Sequence, residues 1–269
     1  VLPITLPFIL YSNAEHSPSA THKFAVPVLL YHNVGNITKD QDVRNPRLRD
    51  LTVTTDNFEL QMKTLVDNGF TVLSTDDIEN AIKTHKALPI KAIAITFDDG
   101  YSGVYQYAFP ILKKYRLPAT VFLVTGEVGK ADHLSWEESR VMNKSNIRFG
   151  SHTIHHYNLT TLRIIDLQLE LIQSKAEMDR QLQCCTTSIA YPNGAYNQLI
   201  AGATSAVGYT TAWRKSGGPI RPQCDLILLP RMRVTNKTTI KEFHGIIYSG
   251  VWMIESGHGD GKPTEAEYY

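Results

Sequence analysis

Cysteine is scarce in this chain. There are three in 269 residues, at Cys184, Cys185 and Cys224, and no two stand in C-x-x-C spacing. The spacing therefore argues against a zinc–thiolate site. Cys184 and Cys185 are adjacent and cannot bridge each other without strain. Either one of them pairs with Cys224 in an oxidising compartment, or all three are free thiols. An excess of charge of one sign is also missing. The formal net charge is +1, and nothing in the balance points to nucleic acid or another polyanion as partner. No apolar run is long enough to cross a bilayer as a helix; the opening "VLPITLPFIL" is ten residues without charge. There is no repeat at a fixed period, and no linker rich enough in Pro, Gly or Ser to divide the chain. With 42% hydrophobic residues, the chain can bury one large core, as a single α/β domain or two small ones.

The N-terminus allows two readings. Ser12 and Ala14 fit the small-x-small pattern that precedes a signal-peptidase cut, so residues 1–14 read as the tail of a secretion signal whose charged start is missing. The alternative is an ordinary first strand interrupted by Pro3 and Pro7. On the first reading residues 1–25 are a signal remnant and polar leader, 26–250 form the domain, and 251–269 are a flexible tail, with three glycines and two glutamates after Ser256.

Between these ends strands and helices alternate. "VPVLLYHNV" (26–34) is an apolar strand, followed by a polar loop over 35–53. A helix capped by Asp56, with Glu59 three residues on, carries Phe58, Met62, Leu65 and Val66 at helical spacing. "KAIAITF" (91–97) is apolar at nearly every position, as expected of a parallel strand covered on both faces. Further strands are expected at "FTVLS", "ATVFLV", "NIRFGS", "TSIAYP", "YTTAW" and "LLPRMRV", with helices between them. Such alternation implies a parallel sheet. Seven or eight strand–helix units in one domain favour a barrel, in which functional groups lie at the C-terminal ends of strands.

Two constellations sit at such ends. Asp98 and Asp99 close the "KAIAITF" run. Successive strand side chains point to opposite faces, so both can serve one site only if the strand stops there, and Gly100 permits that turn. Alone the pair is most simply a helix cap. Beyond "NIRFGS" stands "GSHTIHHYNLT" (150–160). Its His152 and His156 are four apart, which one helical turn places on the same side, and paired imidazoles are common zinc ligands. His155 reads as a solvated loop residue. Taken with the aspartates, the two histidines make a metal site the better reading.

"TFDDG" (96–100) followed about fifty residues later by "SHTIHH" (151–156) resembles the polysaccharide deacetylase family, the NodB-homology carbohydrate esterases of family 4. Their first two motifs are TFDDG and H-[ST]-x-x-H. "AYPNGAYN" (190–197) resembles their third motif. "PVLLYHNV" and "LLPRMRV" resemble the exported branch that acts on poly-β-1,6-N-acetylglucosamine in biofilm matrix.

The resemblance implies a distorted (β/α) barrel of seven or so parallel strands. It implies Asp98 as catalytic base, and Asp99, His152 and His156 as ligands of a divalent metal, Zn2+ first and Co2+, Ni2+ or Fe2+ next. The backbone N–H of Tyr191, beside Pro192, is expected at the oxyanion. The substrate is an N-acetylated polysaccharide, with peptidoglycan or chitin oligomers as runners-up to the β-1,6 polymer. The protein is expected to be an exported monomer with no nucleic-acid partner. Other readings stay open: an amide or cyclic-imide hydrolase of the same fold, or a catalytically weak carbohydrate-binding relative.

Two departures stand out. Many family members carry an arginine at the start of the third motif that steadies the catalytic aspartate, and "TTSIAYP" has none. Arg231 is the candidate substitute, a surface ion pair being the alternative, and its replacement is expected to cut turnover well before it harms folding. The usual general-acid histidine near the C-terminus is also not evident. His244 sits at a helical packing position and His258 in the tail. His32 ends the first strand and is expected to brace the site by a hydrogen bond. Tyr101, Trp136 and Trp213, with Tyr191, are candidate sugar-stacking aromatics.

Overall fold

The computed structural model describes residues 24–37 and 47–256. The expected signal remnant (1–14), His258 and residues 257–269 of the expected tail lie outside the described residues. In chain order the strands are β1 (Val28–Tyr31), β2 (Asn33–Val34), β3 (Thr52–Val53), β4 (Thr71–Leu73), β5 (Ala92–Phe97), β6 (Ala119–Leu123), β7 (Ile147–Ser151), β8 (Ser188–Ala190), β9 (Thr211–Trp213) and β10 (Met232–Arg233). The helices are α1 (Leu48–Leu51), α2 (Thr55–Asp67), α3 (Thr75–Thr84), α4 (Phe109–Tyr115), α5 (Trp136–Asn143), α6 (Ile164–Leu182), α7 (Gln198–Ala206) and α8 (Ile240–Ser256).

The all-apolar run became the central strand. β5 is buried at every position and pairs in parallel with β1 along one edge, Val28 opposite Ala94 and Tyr31 opposite Phe97. Its other edge is shared: β4 takes the first half and β6 the second. The sheet runs β10-β1-β5-β6-β7-β8-β9 and curls into the expected distorted barrel. The seam is narrow. Leu229 forms a parallel bridge with Trp213 of β9, and Met232, three residues on, pairs with Leu29 of β1. One short segment, 229–233, thus ties the two ends of the sheet together.

Strand alternation sorts the side chains. Ile93, Ile95 and Phe97 of β5 point outward into the larger core, with Leu29 and Tyr31 of β1. There they meet Phe58 and Met62 of α2, Leu112 of α4, Met142 of α5, Met178 of α6 and Phe243 of α8. Each such buried side chain contributes about 1.5–3 kcal/mol. Ala92 and Ala94 face the lumen, where Val28, Phe122, Ala190 and Trp213 fill the space. Thr96 and Asp98 continue the lumen-facing series, which is how an aspartate comes to point into the barrel.

Several local expectations are corrected. Thr54, not Asp56, caps α2, its side chain accepting from the Asn57 N–H; Thr54 is the residue with extended backbone, and Asp56 lies inside the first turn. The first apolar run is split, and its end, β2, leaves the barrel to pair with β3. The loop expected over 35–53 contains α1 and β3. The last helix continues to Ser256, past the boundary expected at 250. The three cysteines are free thiols, with Cys184 and Cys185 exposed and Cys224 half-buried.

Gly103 fixes where the chain leaves the site. A Cβ there would lie 2.1 Å from the Val34 carbonyl oxygen and 2.3 Å from Asn33 Oδ1. Neither can retreat, because Asn33 is buried and donates to Thr52 Oγ1. Gly103→Ala should destabilise the fold by about 1–3 kcal/mol, read as a lower urea midpoint at unchanged slope; an unchanged midpoint would show that the contact relaxes freely.

Candidate active site and metal centre

Asp98 follows the last residue of β5, its N–H donating to the Tyr31 carbonyl at 3.0 Å. There the strand stops: Asp99 and Gly100 both take left-handed backbone, φ 70° and 78°. That conformation costs a non-glycine residue roughly 1–2 kcal/mol, and it brings two successive carboxylates to one cavity. The helical segment that follows starts at Val104 after Gly103, without a side-chain cap, so the aspartates are not its caps.

Asp98 is 4% exposed and its partner Arg231 is 0% exposed. The guanidinium grips the carboxylate with two parallel bonds, Nη1 to Oδ1 at 2.6 Å and Nη2 to Oδ2 at 2.7 Å. Two of its remaining three donors reach Thr96 Oγ1 (3.2 Å) and the Arg214 carbonyl (2.8 Å), and its plane lies over the Phe122 ring at 5.3 Å. Burial alone would raise the Asp98 pKa. The charge of Arg231, helped by His152 and its own hydrogen bonds, outweighs it and holds the group at about 2.

His152 follows β7 and is buried. Its Nδ1–H donates to the Ala190 carbonyl at 2.7 Å, which directs Nε2 at the aspartates, 3.5 Å from Asp99 Oδ1 and 3.8 Å from Asp98 Oδ2. His156 Nε2 lies 3.6 Å from the same Asp99 Oδ1. The two imidazoles do not converge through a helical turn. They sit on a loop in which Thr153 (φ 69°) and His156 (φ 55°) are both left-handed. Glu170, buried on α6, accepts the N–H groups of Ile154 (2.8 Å) and His155 (3.0 Å) and also binds the His155 ring. His155 is therefore a partner of the loop anchor rather than a freely solvated residue. Glu170 itself was missed by sequence reasoning; its only signal was a lone acid at a core position of the longest helix.

The donor set fits a metal ion. Asp99, His152 and His156 each offer one atom, all within 4.8 Å of one another. Donors about 2.1 Å from one tetrahedral ion stand roughly 3.4 Å apart, close to the two measured carboxylate–imidazole separations. Asp99 Oδ1 is buried and accepts no hydrogen bond. Burial, then the Asp98 charge, push Asp99 up to about 7, while burial pulls His152 down to about 3. Two neutral imidazoles and an uncompensated carboxylate are what a divalent cation requires, and the hydrogen bond behind His152 is the usual support for a ligand histidine.

These groups open into a cavity of about 550 Å³. Tyr101 and His32 also line it, as do residues not anticipated from sequence, among them Asn193, His133, Lys215 and Arg233. Tyr101 stacks on His133 at 4.9 Å. His32 makes no hydrogen bond through its buried Nδ1, contrary to the bracing role expected of it, and burial lowers it to about 4.

Tyr191 does not take the place expected for it. Its N–H donates to the Trp213 carbonyl at 3.0 Å, its hydroxyl donates to the Ile227 carbonyl, and its ring packs in a hydrophobic cluster. β8–β9 pairing consumes the N–H. Pro192 is buried beneath the turn, and Asn193 and Gly194 reach the cavity instead. Trp213 is a lumen core residue whose Nε1–H donates to Ser188 Oγ. Trp136 packs against the outer core. Neither lines the cavity.

Residues 85–212 match the family model described as polysaccharide deacetylase. The chain is 33% identical over 210 residues to YxkH of Bacillus subtilis (strain 168), a protein named for polysaccharide deacetylase, covering 78% of this chain and 71% of that one. The chain belongs to the polysaccharide deacetylase family. As a member it is a hydrolase. It is also 25% identical over 259 residues to the poly-beta-1,6-N-acetyl-D-glucosamine N-deacetylase of Staphylococcus aureus (strain MRSA252), covering 88% of this chain and 89% of that one. Among solved structures, the Streptococcus pyogenes deacetylase PplD in complex with acetate superposes with a TM-score of 0.76 at 27% identity, covering 83% of this chain and 98% of that one. The family-model match ends before Arg231, so in this deacetylase the partner of Asp98 comes from outside the matched stretch.

The burial of that partner alters the expected effect of removing it. Arg231→Ala leaves Asp98 charged, buried and unpaired, which should cost about 3–5 kcal/mol. Stability and activity should fall together. Arg231→Lys should recover little of either, since an ammonium cannot make the two parallel bonds. Chemical denaturation and turnover on the same preparations check this; a fully stable, inactive Arg231→Ala would contradict it.

Proposed function

We propose that the protein is a metal-dependent hydrolase that removes N-acetyl groups from an N-acetylglucosamine-containing polysaccharide. The carrying observation is the buried Asp98–Arg231 pair standing beside the Asp99, His152 and His156 donor set. The similarity to the Staphylococcus enzyme makes the poly-β-1,6-linked polymer the first substrate to test, with peptidoglycan and chitin oligomers next. Zinc is the proposed ion, and the proposed setting is outside the cytoplasm, with the protein acting as a monomer.

When bound, the ion supplies Lewis-acid polarisation of the acetyl carbonyl and acidifies the attacking water. Asp98 accepts the proton of that water. Arg231 keeps the carboxylate ionised and turned to the cavity throughout the neutral range. The water oxygen adds to the acetyl carbon, the C–N bond breaks, and Asp98 returns the proton to the departing amine, leaving acetate and a free amino sugar. The donor proposed for the developing oxyanion is the backbone N–H of Asn193, the residue of the third-motif turn at the cavity wall. His32, neutral well below pH 7, adds no charge there, and Tyr101 stacked on His133 offers a flat face to a sugar ring.

The metal-loaded protein should release acetate from β-1,6- or β-1,4-linked N-acetylglucosamine oligomers and leave a cyclic imide intact. Asp98→Asn should lower the rate by about 10²–10⁴-fold and, because it leaves the buried Arg231 charge without its counter-ion, should also lower the denaturation midpoint. Tight oligomer binding without acetate under any metal would instead identify a carbohydrate-binding module, and ring opening alone an imide hydrolase.

Metal binding should be linked to pH. In the metal-free protein Asp99 keeps its proton up to about pH 7. Below that pH each ion must displace about one proton, and above it none, so affinity should rise from pH 5 to 8 and then level. Calorimetric titration with zinc in buffers of different ionisation heat measures the proton count. Equal affinity at pH 5 and 8 would show that Asp99 is already ionised in the metal-free protein at pH 5.

A further inference from the structure

The acids and bases of the cavity do not balance. Asp98 is matched by Arg231. Asp50 and Glu127, also on the cavity wall, have their own cations, Lys237 at 3.4 Å and Lys130 at 3.0 Å. Lys215, Arg233 and Arg47 line the same cavity, and among the described residues none of the three is in an ion pair; Lys215 and Arg233 are the two that the closing strands carry. Once Asp99 is committed to an ion, the wall carries surplus positive charge.

Lys215 is half-buried and Arg233 exposed, but the backbone frame places both. Lys215 follows β9, and its backbone is held at the seam: the Arg214 N–H donates to the Leu229 carbonyl, and the Arg214 carbonyl accepts from Arg231 Nε, both at 2.8 Å. The third-motif turn presses on it so closely that a Cβ on Gly194, at φ +70°, would lie 2.5 Å from Lys215 Cβ. Arg233 ends β10, its strand paired with β1 at Leu30. Both cations are near enough to His32 to help lower its pKa.

We propose that Lys215 and Arg233 form a binding site for an acidic substituent, carboxylate or phosphate, carried by the sugar chain close to the acetamido group that is removed. The inference rests on the deacetylase reading above and narrows it. A guanidinium matches the two oxygens of either anion with parallel hydrogen bonds, and an ammonium adds a point charge. A neutral N-acetylglucosamine chain offers these groups nothing. A deacetylated chain, carrying ammonium groups, is repelled, which favours release of product.

The test uses the metal-loaded full chain and three matched oligosaccharides: one bearing a lactyl-ether carboxylate on the sugar beside N-acetylglucosamine, its methyl ester, and one bearing a sugar phosphate. Acetate release gives kcat/KM. Binding to the Asp98→Asn variant, measured by calorimetry, gives a second readout that needs no turnover. Acid should be preferred over ester by about tenfold, with the preference shrinking as salt is raised. It should collapse toward unity in Lys215→Ala/Arg233→Ala and reverse in Arg233→Glu, with the urea midpoint of each variant reporting on folding. Whether carboxylate or phosphate binds tighter identifies the substituent. Equal kcat/KM and equal binding for acid and ester in the wild type, or a preference that survives both substitutions, would overturn the proposal. Absence of acetate from all three would sink the deacetylase reading, while the calorimetric comparison would still decide the wall.

Discussion

The rest of the site depends on one buried ion pair. Taking a carboxylate and a guanidinium out of water costs several kcal/mol per ion, and the loss is offset only when geometry is good and the remaining donors are satisfied. Here the pair is bidentate, and two of the three remaining N–H donors of Arg231 end on Thr96 Oγ1 and the Arg214 carbonyl. Arg231 also sits inside the segment that ties β9 to β1. The residue that makes Asp98 a permanent anion is thus part of the seam that closes the barrel, and barrel closure and readiness of the base are one event.

The metal donors are organised by a second constraint. A carboxylate and two imidazoles with no internal hydrogen-bond partner for Asp99 Oδ1 form a set that does not satisfy itself. Holding it open requires left-handed backbone at Asp99, Thr153 and His156, conformations that side-chain-bearing residues adopt at a cost. Glu170 is what makes the histidine loop affordable, accepting two of its N–H groups from a buried position on α6. A lone acid in the core stripe of a long helix is thereby explained as an anchor for ligands that lie far from it in sequence.

Much of this was legible in the amino-acid sequence because parallel strands announce themselves. "KAIAITF" has no polar face, so its central place followed, and Asp98, Asp99, His152 and His156 could be located by looking just past such runs. What was harder to read, or was not read, depends on distance and parity. The Asp98–Arg231 contact spans 133 residues, and no local pattern encodes it. The missing arginine of the third motif was the hint. Tyr191 was misplaced because its turn was recognised while its N–H partner was not; the carbonyl of Trp213 becomes its neighbour only when β8 pairs with β9. Spacing alone suggested a helical turn for His152 and His156, since i,i+4 is the familiar way to bring two side chains together. A loop with two left-handed residues achieves the same end without any sequence signature.

The charge pattern around the cavity shows why chemistry and selection can be separated in this fold. Asp98, Asp99, His152 and His156 come from the ends of two strands, β5 and β7, and their charges are accounted for among themselves, by Arg231 and by the ion they are built to hold. Lys215 and Arg233 come from the ends of β9 and β10, the two strands joined at the seam. Among the described residues neither is in an ion pair with those groups, although the charge of Lys215 is felt at Asp99 and His156, so both side chains stay available to whatever enters. Substitutions at those two strand ends can change the field that an incoming chain meets while leaving the proton-transfer pair in place, because Arg231 binds Asp98 through its side chain and fixes Lys215 only through the Arg214 backbone carbonyl. A carbonyl is present whatever the side chain, and that is the physical reason this wall is free to follow the substrate while the centre is not.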